Sequence, residues 1–159
     1  VWAFDAPARA ETVADKPAFR SAFRHRRCLI AADGFYEWQP QPDGHKQPYY
    51  VHLSDRQPFA FAGIWEHWTR GGRTLDSCPI LVTAANSRMR PIHERMPVIL
   101  PPDRYADWLD PGTTDPAALQ PLLAACQAAR ISLHPVSTVV NNPRNDGPDL
   151  LHPREADTP

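Results

Sequence analysis

Three groups of residues in this sequence have the types and spacing to do chemistry. The first is Glu37, in Gly34-Phe35-Tyr36-Glu37-Trp38. A carboxylate set among aromatics in an expected strand becomes a general acid or base if its face is buried, because desolvation disfavours the charged form. It also reads as a surface charge, or as the partner of an arginine such as Arg9. The second is His93, in Asn86-Ser87-Arg88-Met89-Arg90-Pro91-Ile92-His93-Glu94-Arg95-Met96-Pro97. Neighbouring cations disfavour the imidazolium, so a neutral, proton-accepting ring is expected near pH 7. An ordinary exposed loop histidine is the plain alternative. The third group is Arg88, Arg90 and Arg95, a phosphate clamp if the turn is rigid and a solvated face otherwise.

Other chemistries fare badly. The sequence holds no Cys-x-x-Cys, no His-x-x-x-His pair and no Gly-rich phosphate loop. Its seven histidines lack metal-ligand spacing, so neither a metal nor another cofactor is expected. Cys28, Cys78 and Cys126 are odd in number and far apart, which argues against a disulfide framework and for a reducing cytoplasm. Largely apolar neighbours make all three read as structural thiols, with the Arg27 side chain on the strand face opposite Cys28. A Cys28–His93 protease dyad has no local support. Arg20, Arg24, Arg26 and Arg27 close an expected helix, where cations complement the dipole. Trp38, Trp65 and Trp68 suit either base stacking or a core.

The elements that must position these groups are short. Nineteen prolines in 159 residues, about 12% against a usual ~5%, imply many turns. Lys16–Arg26 reads as a helix with Phe19 and Phe23 as its buried stripe. Cys28–Ala32 and Phe35–Trp38 read as strands about Asp33-Gly34, and Gln39–Gln47 as a loop. Tyr49–Leu53 and Phe59–Trp65 are expected to pair as a hairpin across Ser54–Pro58, and Arg70-Gly71-Gly72 is a turn. Ile80–Ala84, Pro97–Leu100 and Ser132–Val140 read as further strands. Asp103–Leu109 and Asp115–Ala129 read as helices, and Asn141–Pro159 as a surface tail. Strands outnumber helices without βαβ alternation, so the expected class is α+β: a mixed, largely antiparallel, barrel-like sheet with flanking short helices.

With 42% apolar and 22% charged residues the chain reads as globular, one domain over residues 1–151 and a tail over 152–159. A net charge of −1 excludes a uniformly basic nucleic-acid binder, so any phosphate site is a local patch. No apolar run approaches the ~20 residues a membrane helix needs. The start at Val1 rather than Met reads as a fragment lacking an N-terminal piece.

Several blocks taken in order carry a family likeness. They are Ala8-Arg9-Ala10-Glu11-Thr12, the run from Arg27 through Trp38, Ala62-Gly63-Ile64-Trp65-Glu66, Thr83-Ala84-Ala85-Asn86, the run from Ile92 through Leu100, His134-Pro135-Val136-Ser137, and Val140-Asn141. Together they resemble the signature of SOS-response-associated peptidase (SRAP) domains, from about Ala8 to Leu151.

The resemblance implies a monomeric, nucleoid-associated DNA-repair enzyme of bacterial type that recognises abasic sites in single-stranded DNA and carries autoproteolytic processing activity. An N-terminal cysteine attacks the ring-opened sugar aldehyde: its α-amine forms a Schiff base and its thiolate closes a thiazolidine, crosslinking protein to DNA. Glu37 and His93 match the family's active-site glutamate and histidine. Arg9 and Arg95 match arginines that hold the DNA backbone, with Arg88 and Arg90 as extensions. Two departures stand out. The family's Met-Cys-Gly-Arg start is absent, and its active-site asparagine falls on Pro7, which offers neither a side-chain amide nor a backbone N–H. The polypeptide as given is therefore not expected to close a thiazolidine. Two alternatives remain: a non-catalytic single-stranded DNA-binding module, and a thiol peptidase using Cys28.

Overall fold

The computed structural model describes residues 8–154. In chain order its main elements are β1 (Ala8–Arg9), α1 (Arg20–His25), β2 (Arg27–Ala32), β3 (Phe35–Pro40), β4 (Lys46–Leu53), β5 (Phe59–Ile64), β6 (Glu66–Arg70), β7 (Arg73–Ser77), β8 (Leu81–Ala84), β9 (Arg95–Pro97), β10 (Ile99–Leu100), α2 (Tyr105–Leu109), α3 (Pro116–Leu119) and β11 (Ile131–Pro135). The strands form three three-stranded sheets, β1-β8-β9, β10-β5-β2 and β11-β4-β3, and a separate β6-β7 ribbon. Every pairing between these strands is antiparallel except β1 with β8. The class is α+β as expected, but the sheets close no barrel.

Period-two alternation in β5 explains the layering. Phe59 and Phe61 face one apolar cluster, with Ile99, Val51, Met89, Met96 and Ile131. Ala62 and Ile64 face a second, with Phe23, Leu81, Leu100, Trp108, Leu119 and Leu123. A strand buried on both faces must lie inside a sheet, and β5 runs between β2 and β10. The expected hairpin of Tyr49–Leu53 with Phe59–Trp65 is therefore wrong. β4 pairs instead with β3 and β11, and the chain changes sheets through a turn where Arg56 adopts φ 59°.

The long helix expected over Asp115–Ala129 also fails. Asp115 caps it, accepting the Ala117 N–H at 3.0 Å, and Pro116 suits its first turn. Pro121 then supplies no N–H, and the chain tightens into a 3₁₀ turn over Gln120–Leu123 before extending at Ala124. Lys16–Arg26 likewise shortens to α1. Ser132–Val140 leaves strand after Pro135 and makes a 3₁₀ turn over Thr138–Asn141. Of the tail expected over Asn141–Pro159, residues 141–154 lie on the surface but are tied down: Arg154 N–H donates to the Pro135 carbonyl at 2.8 Å, and a His134 ring nitrogen meets the Leu151 carbonyl. The rest of it lies outside the described residues.

Gly34 has a spatial requirement. A Cβ there would overlap the ring of Tyr50, which is 6% exposed and donates its hydroxyl to the Asp33 carbonyl at 3.3 Å. Gly34→Ala is expected to cost about 1–3 kcal/mol as the ring is forced from its packing. Thermal denaturation checks this, and an unchanged Tm would show that the ring moves freely.

Candidate active site

The sheet β1-β8-β9 builds one wall of the site. Arg9 pairs with Val82, Val82 with Pro97, and Ala84 with Arg95. Cross-strand partners share a face, so Arg9 and Arg95 project to one side while Ala8, Leu81 and Met96 bury on the other. Arg95 donates to the Glu11 carboxylate at 2.5 Å. Partial burial opposes ionisation of Glu11. Its own backbone N–H, the Arg95 hydrogen bond and the charges of Arg95 and Arg9 outweigh that and hold the carboxyl below its usual range.

β3 builds the facing wall, again by alternation. Phe35 packs edge-to-face on Phe61 at 5.7 Å. Two residues on, Glu37 leaves the apolar cluster and opens into the cleft, half-buried, with its Oε1 accepting the Trp38 N–H at 3.0 Å. Two further on, Gln39 donates to the Pro91 carbonyl at 2.8 Å and so ties the strand to the loop that carries His93. The carboxylate makes no ion pair among the described residues, so the Arg9 partnership considered for it is not formed.

The loop itself is a rigid knob. Asn86 Oδ1 accepts the N–H groups of Arg88 and Met89, each at 3.0 Å, and its Nδ2 donates to the Cys126 carbonyl at 2.7 Å. Met89 and Ile92 sink into the protein, at 0% and 6% exposure. His93 is thereby presented outward. Its Nδ1 lies 3.0 Å from the Arg95 N–H and 3.1 Å from the Arg95 carbonyl. A neutral Nδ1 accepts from the first and a protonated Nδ1 donates to the second, so the ring holds a partner in either state.

Glu37, His93, Arg9 and Arg95 line one recess of about 320 Å³ with Val82, Glu94, Met96 and Pro97. Glu37 and His93 also line an adjoining recess with Trp38, Pro40, Lys46 and Asn141. Lys46 and Asn141 continue into a larger groove along Gln39, Gln47 and Arg154. Arg88 and Arg90 are exposed on the far turn of the loop and line neither recess. Pro7 lies outside the described residues. Three lining residues were not singled out from sequence. Strand alternation places Gln39 on the Glu37 face, and Asn141, which accepts the Trp38 indole N–H at 2.8 Å, closes one of the family-like blocks. Lys46 carried no signal, because its segment read as loop.

Of the basic residues around α1, Arg26 and Arg27 serve the fold. Arg27 donates to the carbonyls of Phe23 and Arg24 at the end of α1, and to those of Trp108 and Asp110. Arg26 pairs with Glu66. The cysteines divide. Cys126 is buried as expected, Cys28 is half-buried, and Cys78 is exposed against expectation because it follows an edge ribbon. Cys28 Sγ lies 3.1 Å from Cys78 Sγ and outside both recesses, so it makes no dyad with His93. Among the described residues no group of three or more His, Cys, Asp or Glu is placed to hold a metal, and no helix is long and apolar enough to cross a membrane.

The family model described as SOS response associated peptidase (SRAP) matches residues 5–143. The chain is 43% identical over 145 residues to the abasic site processing protein YoqW of Bacillus subtilis, covering 91% of this chain and 65% of that protein. It is 35% identical to the abasic site processing protein HMCES of Xenopus tropicalis, covering 90% of this chain and 48% of that one. The chain thus spans between about half and two thirds of the length of these relatives. A solved structure of a protein from Bacteroides thetaiotaomicron superposes with a TM-score of 0.85 at 28% identity, over 94% of this chain and 66% of that chain. With the ordered blocks, the match over most of its length and the shared fold together, the chain belongs to the SOS response associated peptidase (SRAP) family.

Proposed function

We propose that this domain recognises abasic sites in single-stranded DNA, and that a chain carrying the family's N-terminal cysteine crosslinks to them. The observation that supports this reading is the convergence of Glu37, His93, Arg9 and Arg95 on one recess. Arg9 and Arg95 hold phosphates flanking the lesion, and the ring-opened sugar enters between Glu37 and His93. The α-amine adds to the aldehyde carbon, and loss of water leaves an imine. The cysteine sulfur then adds to that carbon as the nitrogen takes a proton. Each step moves a proton at nitrogen or oxygen, the work for which a carboxylate and an imidazole within hydrogen-bond reach are suited. Autoproteolytic processing belongs to the same reading. One domain ending near Leu151, acting as a monomer, is part of it too.

Pro7 in place of the family's asparagine favours a second reading, in which the arginine surface binds DNA without covalent chemistry. In both readings the chain as given binds single-stranded DNA reversibly. The test is fluorescence anisotropy with an abasic oligonucleotide across a salt series, alongside denaturing gels. Affinity falls with salt at a slope of about −0.7 per neutralised phosphate. Arg95→Ala weakens binding across sequences and flattens that slope by roughly one contact. It also frees the Glu11 carboxylate beside the site, which adds repulsion. Unchanged affinity would remove Arg95 from the DNA surface. A denaturation-resistant adduct would show that the nucleophile lies within Val1–Pro159.

A further inference from the structure

The sulfurs of Cys28 and Cys78 meet although the residues lie in different elements, Cys28 in β2 and Cys78 just after β7. Their separation is 3.1 Å. Gly63 of β5 lies between the segments: it faces Cys28 in the β2–β5 register and bridges Ile80 on its other side. The Ile64 N–H donates to the Pro79 carbonyl, which fixes the segment beside Cys78. A Cβ on Gly63 would come within 2.9 Å of Cys28 Sγ, so the glycine leaves the space in which the sulfurs approach. A disulfide of about 2.05 Å needs them to close by roughly 1 Å, within the reach of side-chain rotation.

We propose that Cys28 and Cys78 form an oxidisable dithiol, a site of reversible disulfide modification whose oxidant is a hydroperoxide. The two thiols play different parts. Cys78 is exposed and meets the oxidant first. Burial, then the hydrogen bond and charge of Cys78, push the Cys28 thiol up to about 12, so it does not compete for that step. The Cys78 thiolate attacks one peroxide oxygen and the O–O bond breaks. Sulfenic acid remains, and the departing oxygen leaves as water with the thiol proton. Cys28 sulfur then attacks Cys78 sulfur, the S–O bond breaks, and the hydroxide leaves as water with the Cys28 proton. Two thiols lose two electrons and two protons, and one hydrogen peroxide becomes two waters. The product staples the base of the β6-β7 ribbon to β2. Neither cysteine lines the Glu37–His93 cleft, so this proposal stands or falls apart from the DNA reading.

The experiment treats the full chain with hydrogen peroxide, quenches it, and maps non-reduced peptides by mass spectrometry. The Cys28 and Cys78 peptides are expected to be joined, with free thiols falling from three to one and returning on dithiothreitol. Tm is expected to rise by roughly 5 °C or more, since the bond closes a long loop in the unfolded chain. Cys78→Ser, at an exposed position outside the core, removes both the link and the rise. Cys78 converted to sulfinic acid while Cys28 stays reduced would overturn the proposal, as would a Cys78-linked dimer in place of the internal bond.

Discussion

In a chain that carries the N-terminal cysteine, Glu37→Gln and His93→Ala are each expected to slow the proposed crosslinking to an abasic oligonucleotide by roughly 10²–10⁴-fold, while reversible binding changes little. Glu37→Gln keeps size and hydrogen-bonding capacity and removes only the titrating group. Neither side chain supports the core: His93 is exposed, and Glu37 opens into the cleft. On the proposed reading phosphate affinity rests on the guanidinium groups of Arg9 and Arg95, which both variants leave in the recess. On that same reading the two residues serve the same proton transfers, so the double variant is expected to lose far less than the product of the single losses. Single-turnover kinetics on denaturing gels measures the rate, and anisotropy measures binding. A rate unchanged in both variants would remove them from the chemistry. A parallel collapse of binding would make them DNA contacts instead.

Trp108→Ala is expected to be the most damaging core change, at about 3–5 kcal/mol. Trp108 is 0% exposed in the cluster that joins β5 to the helices, and it packs on Phe23 with ring centroids 6.0 Å apart. The loss reaches beyond the cavity. The indole N–H donates to the Cys28 carbonyl at 2.9 Å, a hydrogen bond the variant loses. The Arg27 guanidinium sits 5.6 Å from the ring centroid and would lose its stacking partner. Against a typical domain stability of 5–15 kcal/mol this is a large fraction, a Tm loss of roughly 6–20 °C. Trp108→Phe keeps most of the volume and loses the N–H, so it should fall between. Urea denaturation of the three proteins decides, and equal midpoints for Ala and wild type would contradict the packing.

What the sequence made legible follows physical range. Residues of extreme type in short windows, such as Glu37 among aromatics or His93 among arginines, stand out in one dimension. So do the strands on either side of Gly34 and the Gly71-Gly72 turn. Pairing was not legible. Phe59–Ile64 offered no local sign that its partners would be Arg27–Ala32 and Ile99–Leu100 rather than the nearer Lys46–Leu53. The broken helix after Asp115 was available in Pro121 but was outweighed by a run of alanine and leucine. Arg88 and Arg90 look equivalent to Arg95 in one dimension. The family resemblance sets Arg95 apart, and the β8–β9 register, which turns Arg95 toward Arg9, gives the physical reason. The approach of Cys28 to Cys78 could not be found by spacing at all, because it depends on a missing side chain at Gly63 in a third segment.

Among the described residues the first strand has just two, and its partners lie far down the chain: Ala8 pairs with Leu81, and Arg9 with Val82. During synthesis the arginine wall stays incomplete until Leu81–Ala84 and then Arg95–Pro97 have emerged and folded, since closing so long a loop is costly before its contacts form. Assembly of the arginine surface is thus a late event, and shorter nascent chains cannot display it. The same brevity acts in the finished molecule. Ala8 and Ala10 on either side of Arg9 belong to the apolar cluster around Phe23 and Trp108, and the Ala10 N–H donates to the Val82 carbonyl, so displacing Arg9 also opens that cluster, and amide exchange at Ala10 should report both events together.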